Sequence, residues 1–95
     1  MFCPNGATYN IDPDADTAVT QDITVDTERG AIRVWTASGS IDLFLAFNET
    51  ATADSIPIHG NNNVEYFKVP AGTTYVSIYA TSDANPMNIT VGEEV

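Results

Sequence analysis

The chain has 95 residues, with 13 acidic against 3 basic side chains and a formal charge of −10. That length supports one domain around one core, and the charge excludes nucleic acid and anionic membranes as partners, because affinity for phosphates comes from Lys and Arg. A single cysteine, Cys3, excludes an internal disulfide framework, and no run approaches the ~18 apolar residues of a membrane helix.

The opening, residues 1–17, is broken by Pro4, Gly6 and Pro13. It reads as an irregular N-terminal arm or edge segment, with Ala7 to Ile11 able to add a short edge strand. MFCPNG lacks a basic flank and an apolar run, which leads to the expectation of a soluble chain made in a cytoplasm, or a mature chain already cut. From Ala18 to Val25 the pattern alternates, with Val19, Gln21, Ile23 and Val25 on one side. Such a period of two is the mark of a half-buried strand. Asp26 to Gly30 reads as a turn.

Ala31 to Ala37 is the next strand, with Ile32, Val34 and Thr36 on one face and Arg33 and Trp35 on the other. Ser38-Gly39-Ser40 has the spacing of a hairpin into Ile41 to Asn48. There Ile41, Leu43, Leu45 and Phe47 announce the core, while Phe44 faces the other way. Ile56-Pro57-Ile58 is a brief apolar touch at an edge, and His59 to Asn63 is a Gly/Asn turn.

In Val64 to Val69, Phe67 and Val69 are expected inside. Pro70-Ala71-Gly72-Thr73 reads as a type II turn that starts at Val69. In Thr74 to Ala80, Val76, Ile78 and Ala80 face in, and Tyr75, Ser77 and Tyr79 face out. Ser82 to Pro86 turns the chain into a last strand holding Met87, Ile89 and Val91. The sum is an all-β fold: a small antiparallel β-sandwich, immunoglobulin-like or jelly-roll-like, of six to eight short strands, with residues 18–95 as its domain and an irregular arm before it.

Catalytic chemistry finds little to stand on. The only histidine, His59, sits in a turn with no nucleophile motif around it. Cys3 has no base or second ligand beside it, and no Gly-rich phosphate loop occurs, so neither an enzyme nor a cofactor is expected. Asp12, Asp14 and Asp16 begin like a calcium loop, but Thr17 stands where glycine is needed and Ile23 where the bidentate glutamate belongs. They remain weak metal candidates beside the plainer reading of a solvated acidic loop. Asn48-Glu49-Thr50 and Asn88-Ile89-Thr90 fit the N-glycosylation pattern.

The outward aromatics are more informative. Alternation points Trp35, Phe44, Tyr75 and Tyr79 away from the core, all on one aligned side if the hairpin forms, with Tyr66 undecided. Trp and Tyr dominate interface energetics. The alternatives are that the opening arm or a second sheet covers them, or that they stack on carbohydrate.

The segments AIRVWTASGSIDLFLAFNETATADSIPI, residues 31–58, and VEYFKVPAGTTYVSIYATSDANPMNITVGEE, residues 64–94, resemble small β-structured virion proteins of tailed bacteriophages, and among them capsid decoration (cement) proteins. The resemblance implies a non-enzymatic structural protein of the capsid exterior, made in the host cytoplasm. Its partners would be the major capsid protein and other copies of itself, as in a trimer. It implies an arm anchored by Phe2 and Tyr9, with Asp12, Asp14 and Asp16 meeting basic patches, and Trp35, Phe44, Tyr75 and Tyr79 in contact with a partner. Separately, the arm is expected to order on docking, so that a chain trimmed of Met1 to Asp16 keeps its fold and loses tight binding. The alternatives are a head–tail or tail component, or a small carbohydrate- or ligand-binding module.

Overall fold

The computed structural model describes residues 1–25, 29–37, 42–59, 63–83 and 87–94. Eight strands are formed among them: β1 (Phe2–Ile11), β2 (Ala18–Val25), β3 (Gly30–Thr36), β4 (Leu43–Phe47), β5 (Ile56–Ile58), β6 (Asn63–Lys68), β7 (Thr73–Ala80) and β8 (Met87–Glu94). The turn expected at Ser38–Ser40, the inward position of Ile41, and residues 26–28, 60–62 and 84–86 of the turns expected over Asp26–Gly30, His59–Asn63 and Ser82–Pro86 lie outside the described residues.

The pairing has a simple logic. β1 pairs with β8, β2 with β7, β3 with β6 and β4 with β5, all antiparallel. That is the ladder of one long hairpin whose tip is β4–β5. Two further pairings, β3 with β8 and β4 with β7, roll this ribbon into two four-stranded sheets, a first of order β1-β8-β3-β6 and a second of order β2-β7-β4-β5. The result is an eight-stranded jelly roll, within the all-β sandwich class that the alternation predicts.

The core lies between the sheets. Ile32, Val34, Ile89 and Val91 of the first sheet meet Leu43, Leu45, Val76 and Ile78 of the second. These are the positions that the period of two places inward, and β-branched residues fill most of them, as suits a pleated surface. Val69 is buried and Phe67 packs against the core, as expected.

Three expectations are corrected. First, β3 and β4 do not form a hairpin: they lie in different sheets. In a rolled ribbon consecutive strands alternate between sheets, except at the β4–β5 tip. Second, the edge strand expected over Ala7 to Ile11 forms and extends back to Phe2, so the irregular arm is shorter than expected. Pro4 is tolerated because an edge strand has one unpaired side, and the register shifts between Pro4 and Thr8. Tyr9 and Ile11 pack into the core and Pro13 is fully buried, so irregular chain is confined to residues 12–17. Trimming Met1 to Asp16 would therefore take away part of the core. Third, the turn after β6 starts at Pro70, not Val69. The Thr73 amide donates to the Pro70 carbonyl at 3.2 Å, and Gly72 holds the third position with φ 85°, the left-handed value a type II turn needs there.

Candidate functional site

The rolled topology gives the chain two opposed outer faces. On the first sheet, Phe2 starts β1 opposite Glu94, and its ring lies over Gly92 of β8. The ring reaches Tyr66 of β6, with centroids 5.4 Å apart, and the Arg33 guanidinium stands 6.0 Å from its centre, the limit of a cation–π contact. Arg33 also donates to Thr90 Oγ1 at 3.3 Å, and Thr90 Oγ1 lies 2.8 Å from Thr8 Oγ1. One step along the same face, Trp35 pairs with Val64 and Asn88. Tyr66 is 57% exposed and Val64 44%. A shallow depression of about 350 Å³ opens beside them, lined by Arg29, Ala31, Tyr66, Lys68 and Glu94.

On the second sheet, Pro57, Phe44, Tyr79 and Ala18 form one row across four strands. The Phe44 and Tyr79 rings lie 6.5 Å apart, an ordinary aromatic pair. The next row, Ala46 and Ser77, is covered by the chain itself. The β4–β5 loop folds back so that the Ala51 amide donates to Ser77 Oγ at 3.0 Å, and all three residues are buried. Tyr75 follows, beside Asp22.

Asn48 sets the start of that loop. Its φ is 56°, and its Oδ1 accepts from the Thr74 amide at 2.8 Å and the Tyr75 amide at 3.3 Å, while its Nδ2 donates to the Gly72 carbonyl. Asn tolerates the left-handed region better than most residues. The amide that the glycosylation pattern singled out is thus engaged in tying β4 to β7.

Charge divides between the two faces. All three Lys and Arg side chains belong to the first sheet or its immediate flank: Arg29 just before β3, Arg33 on β3 and Lys68 on β6. The N-terminal ammonium joins them, 2.8 Å from Glu94 Oε1. Of the eleven described carboxylate side chains, Asp22 on β2, Glu49 and Asp54 between β4 and β5, and Asp16, bonded to Tyr79 of β7, belong to the second sheet; Glu65, Glu93 and Glu94 belong to the first; and Asp12, Asp14, Asp42 and Asp83 lie on segments that join the two. Asp16 Oδ1 accepts from the Tyr79 hydroxyl at 3.1 Å. That hydrogen bond, helped by burial and by the carboxylate's charge, raises the Tyr79 pKa above its ordinary value of 10.0.

The residues singled out in the sequence therefore separate. Phe44, Tyr75, Tyr79 and Asp16 belong to the second-sheet side, and Asp12 and Asp14 to the segment that joins the sheets. Phe2 and Trp35 lie on the first sheet, so Trp35 is not aligned with Phe44 as a hairpin would have made it. Tyr9 packs on the core. Asp12, Asp14 and Asp16 are exposed, and among the described residues no three His, Cys, Asp or Glu side chains gather as metal ligands. His59 is exposed, with its backbone amide donating to Glu65 Oε1 at 2.6 Å. Sequence reasoning placed Arg33 outward beside Trp35 and left Tyr66 undecided, but it did not bring Arg33, Tyr66 and Val64 together with Phe2 as one site. The usable signal was Gly92: a glycine inside a strand marks a place where another group comes close.

In comparison with known proteins, no family model matches the chain, and no curated sequence or solved structure matches it.

Proposed function

We propose that the chain is a non-enzymatic structural component of a bacteriophage particle, a capsid decoration protein that bridges and stabilises major capsid protein subunits from the outside. The observation that carries this reading is the pair of opposed outer faces, each with partly exposed aromatics: Phe2, Trp35 and Tyr66 on one, Phe44, Tyr75 and Tyr79 on the other. A protein that bridges neighbours needs two contact surfaces on one body. Aromatics supply contact area at low entropic cost, and they are over-represented where proteins bind each other.

Two further points support it. The resemblance in residues 31–58 and 64–94 is to virion proteins of this kind. The jelly roll is a fold used by viral capsid domains, although lectins and cupins use it as well, so it favours the reading only by analogy. The acidic second-sheet side suits a basic protein surface, since opposite potentials steer partners together.

The test is loss and restoration. Particles made without the chain are expected to break open at a lower temperature, and the purified chain, added back, to restore the original value. Particles whose heat resistance is the same with and without the chain would overturn the reading.

A further inference from the structure

We propose that copies of this chain associate head to tail, with the first-sheet face of one copy docked on the second-sheet face of the next. This extends the reading above by naming how copies meet. Its test uses the isolated chain, so its failure and an absence of the chain from particles are separate results.

The argument is one of charge and shape. A chain of net charge −10 repels its own copies, and self-association needs a contact that reverses this locally. The first-sheet face holds every Lys and Arg of the chain around Phe2 and Tyr66, and its carboxylate Glu94 is already paired with the N-terminal ammonium. Apposing two such faces sets cation against cation. The second-sheet side carries Asp16 and Asp22, with Asp42 just before β4, around Tyr79, Tyr75 and Phe44, and no Lys or Arg among the described residues. Apposing two of those sets carboxylate against carboxylate. The unlike pair brings opposite charges together and buries an aromatic patch on each side.

The area is adequate for a weak, specific contact. At ~4.8 Å between strands and ~3.3 Å per residue, the strand lengths give the first face roughly 500 Å² and the shorter strands of the second roughly 400 Å², so two apposed faces bury about 900 Å², the size of a weak, transient contact. Because the two patches differ and lie on opposite sides of one sandwich, the contact is heterologous. It leaves a free face at each end of every assembly, and growth stops only where the rotation closes a ring.

Sedimentation velocity tests this with wild type and two double variants at exposed positions. Tyr66→Glu/Lys68→Glu spoils the first face, and Asp22→Lys/Asp42→Lys spoils the second. Wild type is expected to gain mass with concentration at low salt and to lose that gain as salt screens the contact. Each folded variant alone is expected to stay monomeric, and an equimolar mixture to form a two-chain species and nothing larger, because each brings one intact face. Wild type that stays monomeric at all concentrations in low salt overturns the proposal. So does a folded variant that self-associates like wild type, or a mixture of folded variants that stays monomeric. Should a variant not fold, the wild-type salt series decides alone.

Discussion

Phe2, near the start of the chain, packs on Tyr66, with ring centroids 5.4 Å apart, although their strands β1 and β6 are the two edges of the first sheet. The ring spans the sheet because Gly92 lies beneath it without a side chain. A Cβ built on Gly92 would come 2.5 Å from the Cys3 carbonyl oxygen and 2.6 Å from the Phe2 ring. The ring could swing away, but the carbonyl belongs to the β1–β8 ladder and cannot.

Gly92→Ala is therefore expected to destabilise the fold by overpacking, by about 1–3 kcal/mol. In a domain of this size that lowers Tm by ~4–8 °C per kcal/mol. Thermal unfolding checks this, with Gly6→Ala as a milder comparison: its Cβ would meet the Val91 Cβ at 3.0 Å, a tight contact relieved by a shift of a few tenths of an ångström.

Asn48 is expected to be the most sensitive polar position in the second sheet. Asn48→Ala removes the acceptor shared by the Thr74 and Tyr75 amides and puts alanine at a φ of 56°. A loss of about 0.5–1.5 kcal/mol follows from these exposed hydrogen bonds, and the left-handed backbone adds to it. Asn48→Asp keeps that acceptor and is expected to cost less than alanine in denaturant titration. Equal losses would assign the effect to the Nδ2 donation to the Gly72 carbonyl, which both variants lose.

Alkaline pH should weaken the Tyr79–Asp16 contact. The folded Tyr79 pKa lies above the ordinary 10.0, so the folded state favours the protonated phenol. Its contribution is complete below pH 10.0 and is lost as pH rises through the higher folded value. Stability measured across this window is expected to fall less steeply in Tyr79→Phe than in wild type. In phenolate absorbance Asp16→Asn is expected to bring the Tyr79 step to lower pH.

Deleting Met1 to Asp16 is expected to leave an insoluble or unfolded chain. It removes Tyr9, Ile11 and Pro13 from the interior and bares the β8 ladder, and an unprotected strand edge invites aggregation. Deleting Met1 alone moves the exposed ion pair with Glu94 and should change stability little, as exposed pairs contribute little. Circular dichroism and solubility of the two truncations separate these outcomes.

The inward set was legible because alternation is local. Val76, Ile78 and Ala80 declare a buried face without knowledge of any partner. The adjacency of Phe44 and Tyr79 was half legible: both read as outward, but their pairing depends on β4 meeting β7. What misled was Ser38-Gly39-Ser40. A short turn of small residues serves a hairpin within one sheet and a crossing between two sheets equally well. The choice is made by β8, some fifty residues later, which pairs with β3. The opening strand was obscured for a related reason. Pro4 and Gly6 lower its intrinsic preference, and its order comes from β8 and from Phe2 lying over Gly92.

The central claim, the proposal that the chain decorates a phage capsid, is tested most directly by its copy number in virus particles purified from the organism that carries its gene. Quantitative mass spectrometry is expected to find hundreds of copies per particle, in fixed ratio to the major capsid protein. A handful of copies, or none, would contradict it.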